Sequence, residues 1–457
     1  MDEQHVKGRT FSRYAVFYSV IAAIGGFLFG YDTAVISGAI GFITTRFDLQ
    51  PGMVGWTVSS LIIGATIGAA CSGVLSDKYG RKNMLVVSAL LFSLGALLSA
   101  MPTGVAGLVI ARIVGGIGVG MTSTLSPLYI AEISPARNRG RLVSIYQFAV
   151  VTGIFVTFFI NAGIAGIGDD AWDVAYGWRW MFGFGVLPGL LYLVLLAFIP
   201  ESPRWLMKRK QEVRALDILE RMNGKEAAKS ELNEILNLKE EEAGSVRELF
   251  SPALRLPLFV GVVLAILQQI TGINAIMYYA PEIFKQTGAG TDAALSQTVW
   301  VGIVNFGFTL LALWLIDKVG RKMLLVVGSI AMTVCLFAVG YGFQSGITGY
   351  SILFFILVYV ASFAISFGPV VWVMISEIFP TRIRGRATAV ASFCLWAADY
   401  AVSQTFPMLI EGIGTARTFW LFAVVSAISI LFCVRIVPET KGKTLEQIER
   451  QWQSGRR

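Results

Sequence analysis

The sequence predicts an all-α polytopic membrane protein, with twelve transmembrane helices in two six-helix halves and short cytoplasmic helices between and after them. Three observations lead to this fold class. The 457-residue chain is 55% hydrophobic and only 14% charged, with a mean hydropathy of +0.68. Apolar windows recur along it, and motifs of the first half return in the second at a nearly constant spacing. An ordinary water-soluble domain of this length is excluded by that composition.

Each predicted span rests on an apolar window of about 20 residues, the length that a helix needs to cross the hydrocarbon core. Such windows are too long for the strands of a membrane barrel. We expect the first span to stay in the protein, because the charged stretch before it lacks a signal-peptide pattern. The spans run at 15–40, 54–75, 83–101, 106–131, 143–166, 178–199, 257–284, 296–316, 323–343, 350–376, 387–410 and 418–437.

Basic residues are concentrated in alternate loops. By the positive-inside rule these loops and both termini are cytoplasmic, which places the chain in the cell membrane. The net charge of +8 then reflects topology rather than nucleic-acid binding. The basic loops contain Lys78, Arg81 and Lys82; Arg137, Arg139 and Arg141; Lys318, Arg321 and Lys322; and Arg382, Arg384 and Arg386.

An internal repeat divides the chain. DKYGRK at 77–82 returns as DKVGRK at 317–322, EISPARNRGR at 132–141 as EIFPTRIRGR at 377–386, and PES at 200–202 as PET at 438–440. We therefore predict an amino-terminal half at 1–200, an amphipathic helical linker at 201–255, a second half at 256–440 and a carboxy-terminal helix at 441–457. Tandem halves of this kind place a substrate site between them and allow alternating access.

Several functional classes are excluded. The glycine-rich string at 115–120 lies inside a span without a preceding strand, so it is no nucleotide loop. The one histidine, His5, lies in the terminal tail, and the four cysteines have neither metal nor redox spacing. We expect no enzyme activity, cofactor, metal, nucleotide or nucleic-acid partner.

Two ionisable residues fall within predicted spans. Asp32 lies in FLFGYDTAVISGAIGF and Arg112 in LVIARIVGG, and charge inside a membrane is costly and usually functional. Burial and a nearby cation act in opposite directions on the protonation of a carboxylate, which suits a proton switch. The alternative is that Asp32 lies near the outer interface.

The stretch LQQITGINAIMYY at 267–279 places three amides, Gln268, Gln269 and Asn274, inside a span. An unpaired amide in an apolar setting costs roughly 2–7 kcal/mol. At about 100° per residue a straight helix cannot direct them at one point. We therefore predict a helix break at Thr271 and Gly272, and a second break at Gly368 and Pro369, of the kind that lines substrate cavities.

Other amides and aromatic residues in the spans favour a sugar site. Amides pair with hydroxyl groups, and aromatic rings pack on the C–H faces of a pyranose. The alternative for any single amide is bonding between helices. Besides the three amides above, the candidates are Gln147, Asn305, Phe29, Tyr278, Tyr279, Phe363, Trp372 and Trp396.

Charged residues at the cytoplasmic ends of the spans form a candidate gate. Asp77 and Arg81, repeated as Asp317 and Arg321, suggest a latch that holds helices together in one access state. Opposite charges of the two halves could meet as this gate closes, although spacing alone does not pair them. The remaining candidates are Glu132, Arg141, Glu201, Glu377, Arg386 and Glu439.

The motifs GGFLFGYDTAVISG, PESPRWL, QQITGIN, DKVGRK, EIFPTRIRGRA and VPETKGKT resemble the sugar porter family of the major facilitator superfamily, and most closely its bacterial proton-coupled pentose and hexose symporters. The resemblance implies import of a monosaccharide such as D-xylose, D-glucose or L-arabinose together with a proton. It places Tyr278 and Tyr279 at the outer gate. It also implies sugar contacts at Gln147, Gln268, Gln269, Asn274, Asn305 and Trp372.

Proton-coupled members carry Asp and Arg at the positions of Asp32 and Arg112, which favours symport over passive facilitation. Ile154 and Leu395 depart from the amides of xylose-type members, and Asp399 stands where many members have Asn. The preferred sugar therefore stays open among glucose, arabinose and a polyol. A passive facilitator and a non-transporting sugar sensor are the alternative functions.

Overall fold

The computed structural model describes residues 13–135, 138–224, 254–347, 349–379 and 383–441, with isolated residues at 228, 232, 249 and 251. Within these residues the regular structure is helical throughout. The helices are α1 Arg13–Phe47, α2 Pro51–Tyr79, α3 Arg81–Ala100, α4 Val105–Ile133, α5 Arg139–Ala165, α6 Asp170–Leu196, α7 Pro203–Lys208, α8 Glu212–Asn223, α9 Arg255–Ile270, α10 Ile273–Lys285, α11 Thr291–Val319, α12 Arg321–Gln344, α13 Tyr350–Ile365, α14 Phe367–Ile378, α15 Arg384–Ile413 and α16 Thr415–Arg435.

Twelve spans follow from these helices. In the described part, eleven are long and apolar enough to cross a membrane, with α9 and α10 counted as one and α13 and α14 as another. The twelfth, α15, has 30 residues but a more polar composition that includes Asp399 and Gln404. At 1.5 Å per residue it is still long enough to span. The chain is an all-α polytopic membrane protein.

The helices pack as two six-helix halves. In the first half α1 packs on α5 and α4 packs on α2 and α3; in the second half α12 packs on α13 and α16, and α9 packs on α15. The halves meet where α2 lies against α15, α5 against α11 and α1 against α10. Of the predicted linker helices the structure describes α7 and α8, whereas most of 225–253 and nearly all of the predicted helix at 441–457 lie outside the described residues.

The two ends of the bundle can be told apart by the repeated loops. Gly80 links α2 to α3 with φ 99°, and Gly320 links α11 to α12 with φ 103°. A left-handed turn at both positions requires glycine, which explains why the repeat keeps it. We call the end that carries these two turns the basic end, and the end where α1 and α10 finish the opposite end.

Two spans are broken, and one break differs from its predicted place. The break at Thr271 and Gly272 is present, with Gly272 left-handed at φ 95°. The second break lies at Ser366, and the prediction of Gly368 and Pro369 was wrong. Both of those residues lie in the first turn of α14, where a proline costs no hydrogen bond inside its own helix.

Candidate functional site

The two helix breaks are joined by an amide. The Nε2 of Gln268, in the last turn of α9, donates to the backbone oxygens of Phe367 at 2.7 Å and Gly368 at 3.0 Å. Phe367 and Gly368 open α14, so these two hydrogen bonds join the end of α9 to the start of α14 beside the second break. The Oε1 of Gln268 is buried and has no hydrogen-bond partner among the residues that the structure describes.

The neighbouring amides make a separate pair. The Nδ2 of Asn274 donates to the Oε1 of Gln269 at 2.7 Å across the first break. The hydroxyl of Tyr359 donates to the backbone oxygen of Thr271 at 3.0 Å and holds the break from the α13 side. The break therefore turns Asn274 back toward Gln269, which a continuous helix would not do.

The remaining candidate sugar residues are spread over several helices. The ring centroids of Phe29 on α1 and Trp396 on α15 lie 5.7 Å apart, so this aromatic contact joins the two halves. Asn305 is buried on α11, and Gln147 is half-buried on the adjacent α5. Two further aromatic candidates lie on the broken span α13–α14: Phe363 is buried, whereas Trp372 is 39% exposed.

Asp32 and Arg112 form a buried ion pair between α1 and α4. The Nη1 of Arg112 lies 3.6 Å from the Oδ1 of Asp32. The Nε and Nη2 of Arg112 donate to the backbone oxygens of Thr57 at 3.0 Å and Val58 at 3.3 Å, which fixes the guanidinium. A cavity of about 10 Å³ beside the pair has room for about one water molecule. It is too small for a sugar.

A second buried carboxylate lies on α15. Asp399 is 2% exposed; its Oδ1 accepts from Ser403 at 3.1 Å and its Oδ2 from the Tyr278 hydroxyl at 3.4 Å. Tyr279 donates to the backbone oxygen of Ser403 at 2.8 Å. Both tyrosines therefore bind α15 of their own half. The sequence marked Asp399 only as a departure from the family pattern.

Charged residues at the basic end of the first half form one cluster. Arg81 pairs with Asp77 at 2.8 Å and with Glu132 at 3.1 Å. Glu201 accepts from the backbone N–H of Arg81 at 2.9 Å, and the Ser202 hydroxyl donates to Glu132. Helices α2, α3 and α4 and the segment after α6 are thereby joined.

The second half repeats this cluster at its basic end. Arg321 pairs with Glu377 at 2.9 Å and with Asp317 at 3.2 Å. Glu439 accepts from the backbone N–H of Arg321 at 3.0 Å, and Thr440 donates to Glu377 at 2.6 Å. Ser202 and Thr440 belong to the repeated PES and PET motifs, which is a signal for their role here. From these motifs the sequence predicts only the glutamates as gate candidates.

The gate candidates thus pair within halves in this structure. Arg141 is exposed and Arg386 half-buried, and neither joins a cluster. The two repeated glutamates differ: burial raises the pKa of Glu201, with only partial relief from backbone N–H donors. Burial acts on Glu439 too, but its backbone donors outweigh it and lower the pKa of that carboxyl.

At the opposite end the halves are hydrogen-bonded to each other. The Nε2 of Gln404 on α15 donates to the backbone oxygen of Gly52 at 2.9 Å, and its Oε1 accepts from Ser59 of α2 at 3.0 Å. Lys285 of α10 lies over the ring of Phe42 of α1 at 5.5 Å. Gln404 is not among the residues that the sequence predicts for the site, although a glutamine inside a span is a signal of function.

Known proteins share this sequence and this fold. A family model described as "Sugar (and other) transporter" matches residues 18–452. The arabinose-proton symporter of Bacillus subtilis (strain 168) is 47% identical over 441 residues, which cover 96% of this chain and 95% of that protein. The D-xylose-proton symporter of Escherichia coli (strain K12) is 41% identical over 476 residues, covering 97% and 96%.

Solved structures of the xylose transporter XylE from E. coli are also similar. Its inward open conformation gives a TM-score of 0.86 at 39% identity, covering 96% of this chain and 100% of that one. Its complex with 6-bromo-6-deoxy-D-glucose gives a TM-score of 0.78 at 41% identity, covering 97% and 100%.

Proposed function

The chain belongs to the sugar transporter family, and from that premise we propose that it imports a monosaccharide together with a proton by alternating access. It is a transporter rather than an enzyme. The observation that carries the proton part is the buried Asp32–Arg112 pair, an ionisable couple inside a membrane-spanning bundle. Its relatives are named proton symporters of arabinose, D-xylose and galactose.

The sugar site lies, in this proposal, between the halves near the two helix breaks. The free Oε1 of Gln268 and the Gln269–Asn274 pair supply acceptors and donors for hydroxyl groups. The aromatic rings of Phe29 and Trp396 supply a face for C–H groups. Ile154 and Leu395, both buried, leave fewer amides for a pentose. A competition panel of pentoses, hexoses and polyols against one labelled sugar ranks the candidates.

We place the basic end in the cytoplasm, with both termini, and the protein in the cytoplasmic membrane with lipid around it. The halves are then hydrogen-bonded to each other at the outer end through Gln404. At the cytoplasmic end, the ion pairs of each cluster join residues of one half only. That arrangement is an inward-facing state. The halves themselves comprise 1–200 and 256–440, joined by a linker at 201–255.

The cytoplasmic clusters act, in this proposal, as the inner gate. Asp77, Arg81, Glu132 and Glu201, and their counterparts Asp317, Arg321, Glu377 and Glu439, stabilise each half while the gate is open. Arg141 and Arg386 are free to find partners across the halves when it closes. Tyr278 and Tyr279 act at the outer gate.

The test is sugar uptake into vesicles that contain the purified protein. With one proton per sugar, an inward gradient of one pH unit supports up to about tenfold accumulation. We expect Asp32→Asn to lose this accumulation and to keep counterflow of labelled sugar, which needs no gradient. Asp292→Asn makes the same change at an exposed position of α11 and should behave as the unaltered protein.

Two outcomes would contradict the proposal. If sugar uptake by the unaltered protein does not depend on the proton gradient, the protein is a passive facilitator. If a sugar of the panel binds to the protein but shows neither uptake nor counterflow, the protein binds sugar without transporting it.

A further inference from the structure

Asp399, in the interior of α15, is surrounded by hydrogen-bond donors from α10 and from its own helix. Its Oδ1 accepts from the Ser403 hydroxyl at 3.1 Å, and its Oδ2 accepts from the Tyr278 hydroxyl at 3.4 Å. The side chain of Asn274, in the first turn of α10, also hydrogen-bonds this carboxyl group. Asp399 is 2% exposed, so bulk water does not compete for these contacts. A carboxylate only accepts hydrogen bonds, and it therefore requires donors on all sides.

The carboxylate of Asp399 fixes the direction of the bond between Gln269 and Asn274. Each amide carries an oxygen on one side and an NH₂ group on the other, so two amides can bond in either of two directions. In the structure the Nδ2 of Asn274 donates to the Oε1 of Gln269 at 2.7 Å. The reverse arrangement would turn the oxygen of Asn274 toward the carboxylate oxygens of Asp399. Two acceptors facing each other repel, so Asp399 excludes that arrangement.

This direction determines which atoms of the pair a ligand can meet. In the described part of the chain, the Nε2 of Gln269 and the Oδ1 of Asn274 have no hydrogen-bond partner, and neither is among the fully buried polar atoms. Gln269 therefore offers a donor and Asn274 an acceptor. The adjacent Gln268 offers a second acceptor whose direction does not depend on Asp399, because two backbone oxygens of α14 hold its Nε2.

We propose that Asp399 is a positioning residue that holds the oxygen of Asn274 toward the substrate, and so selects a sugar whose hydroxyl group donates a hydrogen bond there. This rests on the proposed monosaccharide site and deepens it. A hydroxyl group donates and accepts at once, so it can accept from Gln269 and donate to Asn274. A fluorine or a carbonyl oxygen at the same place on the ring accepts but does not donate.

An asparagine at position 399 would remove this selection. Its side chain carries one oxygen and one NH₂ group, so it can bond Asn274 in either direction. The Gln269–Asn274 pair could then turn to suit the ligand and could offer a donor to fluorine where it now offers an acceptor. The acceptor of Gln268 would stay as it is, because its direction is set by the backbone oxygens of α14.

The test is competition by deoxyfluoro sugars, in which one hydroxyl group at a time is replaced by fluorine, against counterflow of the labelled parent sugar. In the unaltered protein we expect fluorine to weaken competition about tenfold or more at the positions that donate to Asn274 and Gln268. In Asp399→Asn the loss at one position should fall to about threefold or less, and the others should remain. Asp292→Asn is the matched control and should keep every loss.

A second variant covers the case in which Asp399→Asn does not fold. Asn274→Ala removes the acceptor itself and should abolish the same single loss. Adding Asp399→Asn to it should change the fluorine profile no further, because Asp399 acts through Asn274. A profile of Asp399→Asn that superimposes on the unaltered one, losses that shrink at every position together, or an Asn274→Ala variant that keeps every loss would each overturn the proposal.

Uptake in the same vesicles separates this proposal from the proposed function. If no sugar of the panel binds to the unaltered protein, both are rejected. If a proton gradient drives sugar uptake while Asp399→Asn leaves the fluorine profile unchanged, only the positioning role of Asp399 is rejected.

Discussion

The adjacent residues Gln268 and Gln269 have different partners. The nitrogen of Gln268 is committed to two carbonyls of the other broken span, which is the helix-to-helix bonding that any single amide in a membrane could perform. In the described part of the chain, the side chain of Gln269 bonds only that of Asn274, a contact that a ligand can replace. Two neighbouring glutamines thus divide into one that holds the breaks together and one that is available to substrate.

Substituting the two glutamines should separate stability from binding. Gln268→Leu removes two hydrogen bonds that join α9 to the first turn of α14, so we expect a loss of about 1–3 kcal/mol in stability together with weaker sugar binding. Gln269→Leu should weaken sugar binding about tenfold or more and change stability less. Thermal unfolding in detergent and sugar titration measure the two effects. Equal melting temperatures for both variants would contradict this division.

The repeated glutamates of the basic end should respond differently to pH. The pKa of Glu439 is lowered, so its stabilisation is present above the ordinary glutamate pKa of about 4.3 and is lost as the pH falls below it. The pKa of Glu201 is raised, so its contribution is present in acid and is lost as the pH rises through that raised value. At pH 7 we expect Glu439→Gln to lower the melting temperature more than Glu201→Gln.

The same pair of variants contains its own control. As the pH falls toward 4, the glutamate of the unfolded chain takes up a proton before Glu439 does in the fold, because the pKa of Glu439 is lowered, so the difference between the two variants should narrow. A difference that is constant from pH 7 to pH 4 would show that hydrogen-bond geometry, rather than charge, distinguishes the two sites.

At the scale of elements, the sequence predicts the twelve spans and the first break, because polar residues on incompatible helix faces flank Gly272. It misplaces the second break. The bend at Ser366 depends on α12, where a Cβ on Gly328 would lie 2.0 Å from the Ser366 hydroxyl. That close approach comes from the packing of α12 on this span. The local sequence around Gly368 and Pro369 carries no information about such packing. The kink at Tyr279 was missed as well, although Pro281 follows it.

Helices α2 and α4 approach each other through glycines. A Cβ on Gly116 would lie 2.3 Å from the backbone oxygen of Leu61, and one on Gly64 would lie 2.2 Å from that of Ile113. Gly116→Ala must push these helices apart, and we expect a loss of about 1–3 kcal/mol or more, measured by thermal unfolding in detergent. Gly73→Ala, in α2 with no atom within 4 Å, is the control and should be neutral. Equal stability of both variants would contradict the close packing.

At the scale of the whole molecule, the halves are alike at one end and joined at the other. Each basic-end cluster is complete within its own half, so the halves can separate there without an unpaired buried charge. The sequence predicts the charged members of these clusters and the pairing of Asp77 with Arg81, but not the partners of the glutamates, because spacing along the chain does not show which helices meet. At the opposite end, the hydrogen bonds between the halves that the described residues make centre on Gln404, which no repeat marks, and Lys285 adds its contact with the ring of Phe42.

Removing this join should favour the state that opens at the opposite end. Gln404→Ala removes two hydrogen bonds between the halves, which at about 0.5–1.5 kcal/mol each would shift the ratio of the two states roughly 5-fold to 150-fold. The measurement is the distance between spin labels on cysteines that replace Met53 and Ile413, in a background without the native cysteines. We expect a longer distance to gain population. Thr405→Ala, which removes only a bond within α15, is the control. An unchanged distribution in Gln404→Ala would mean that apolar packing of α2 on α15 holds this end closed.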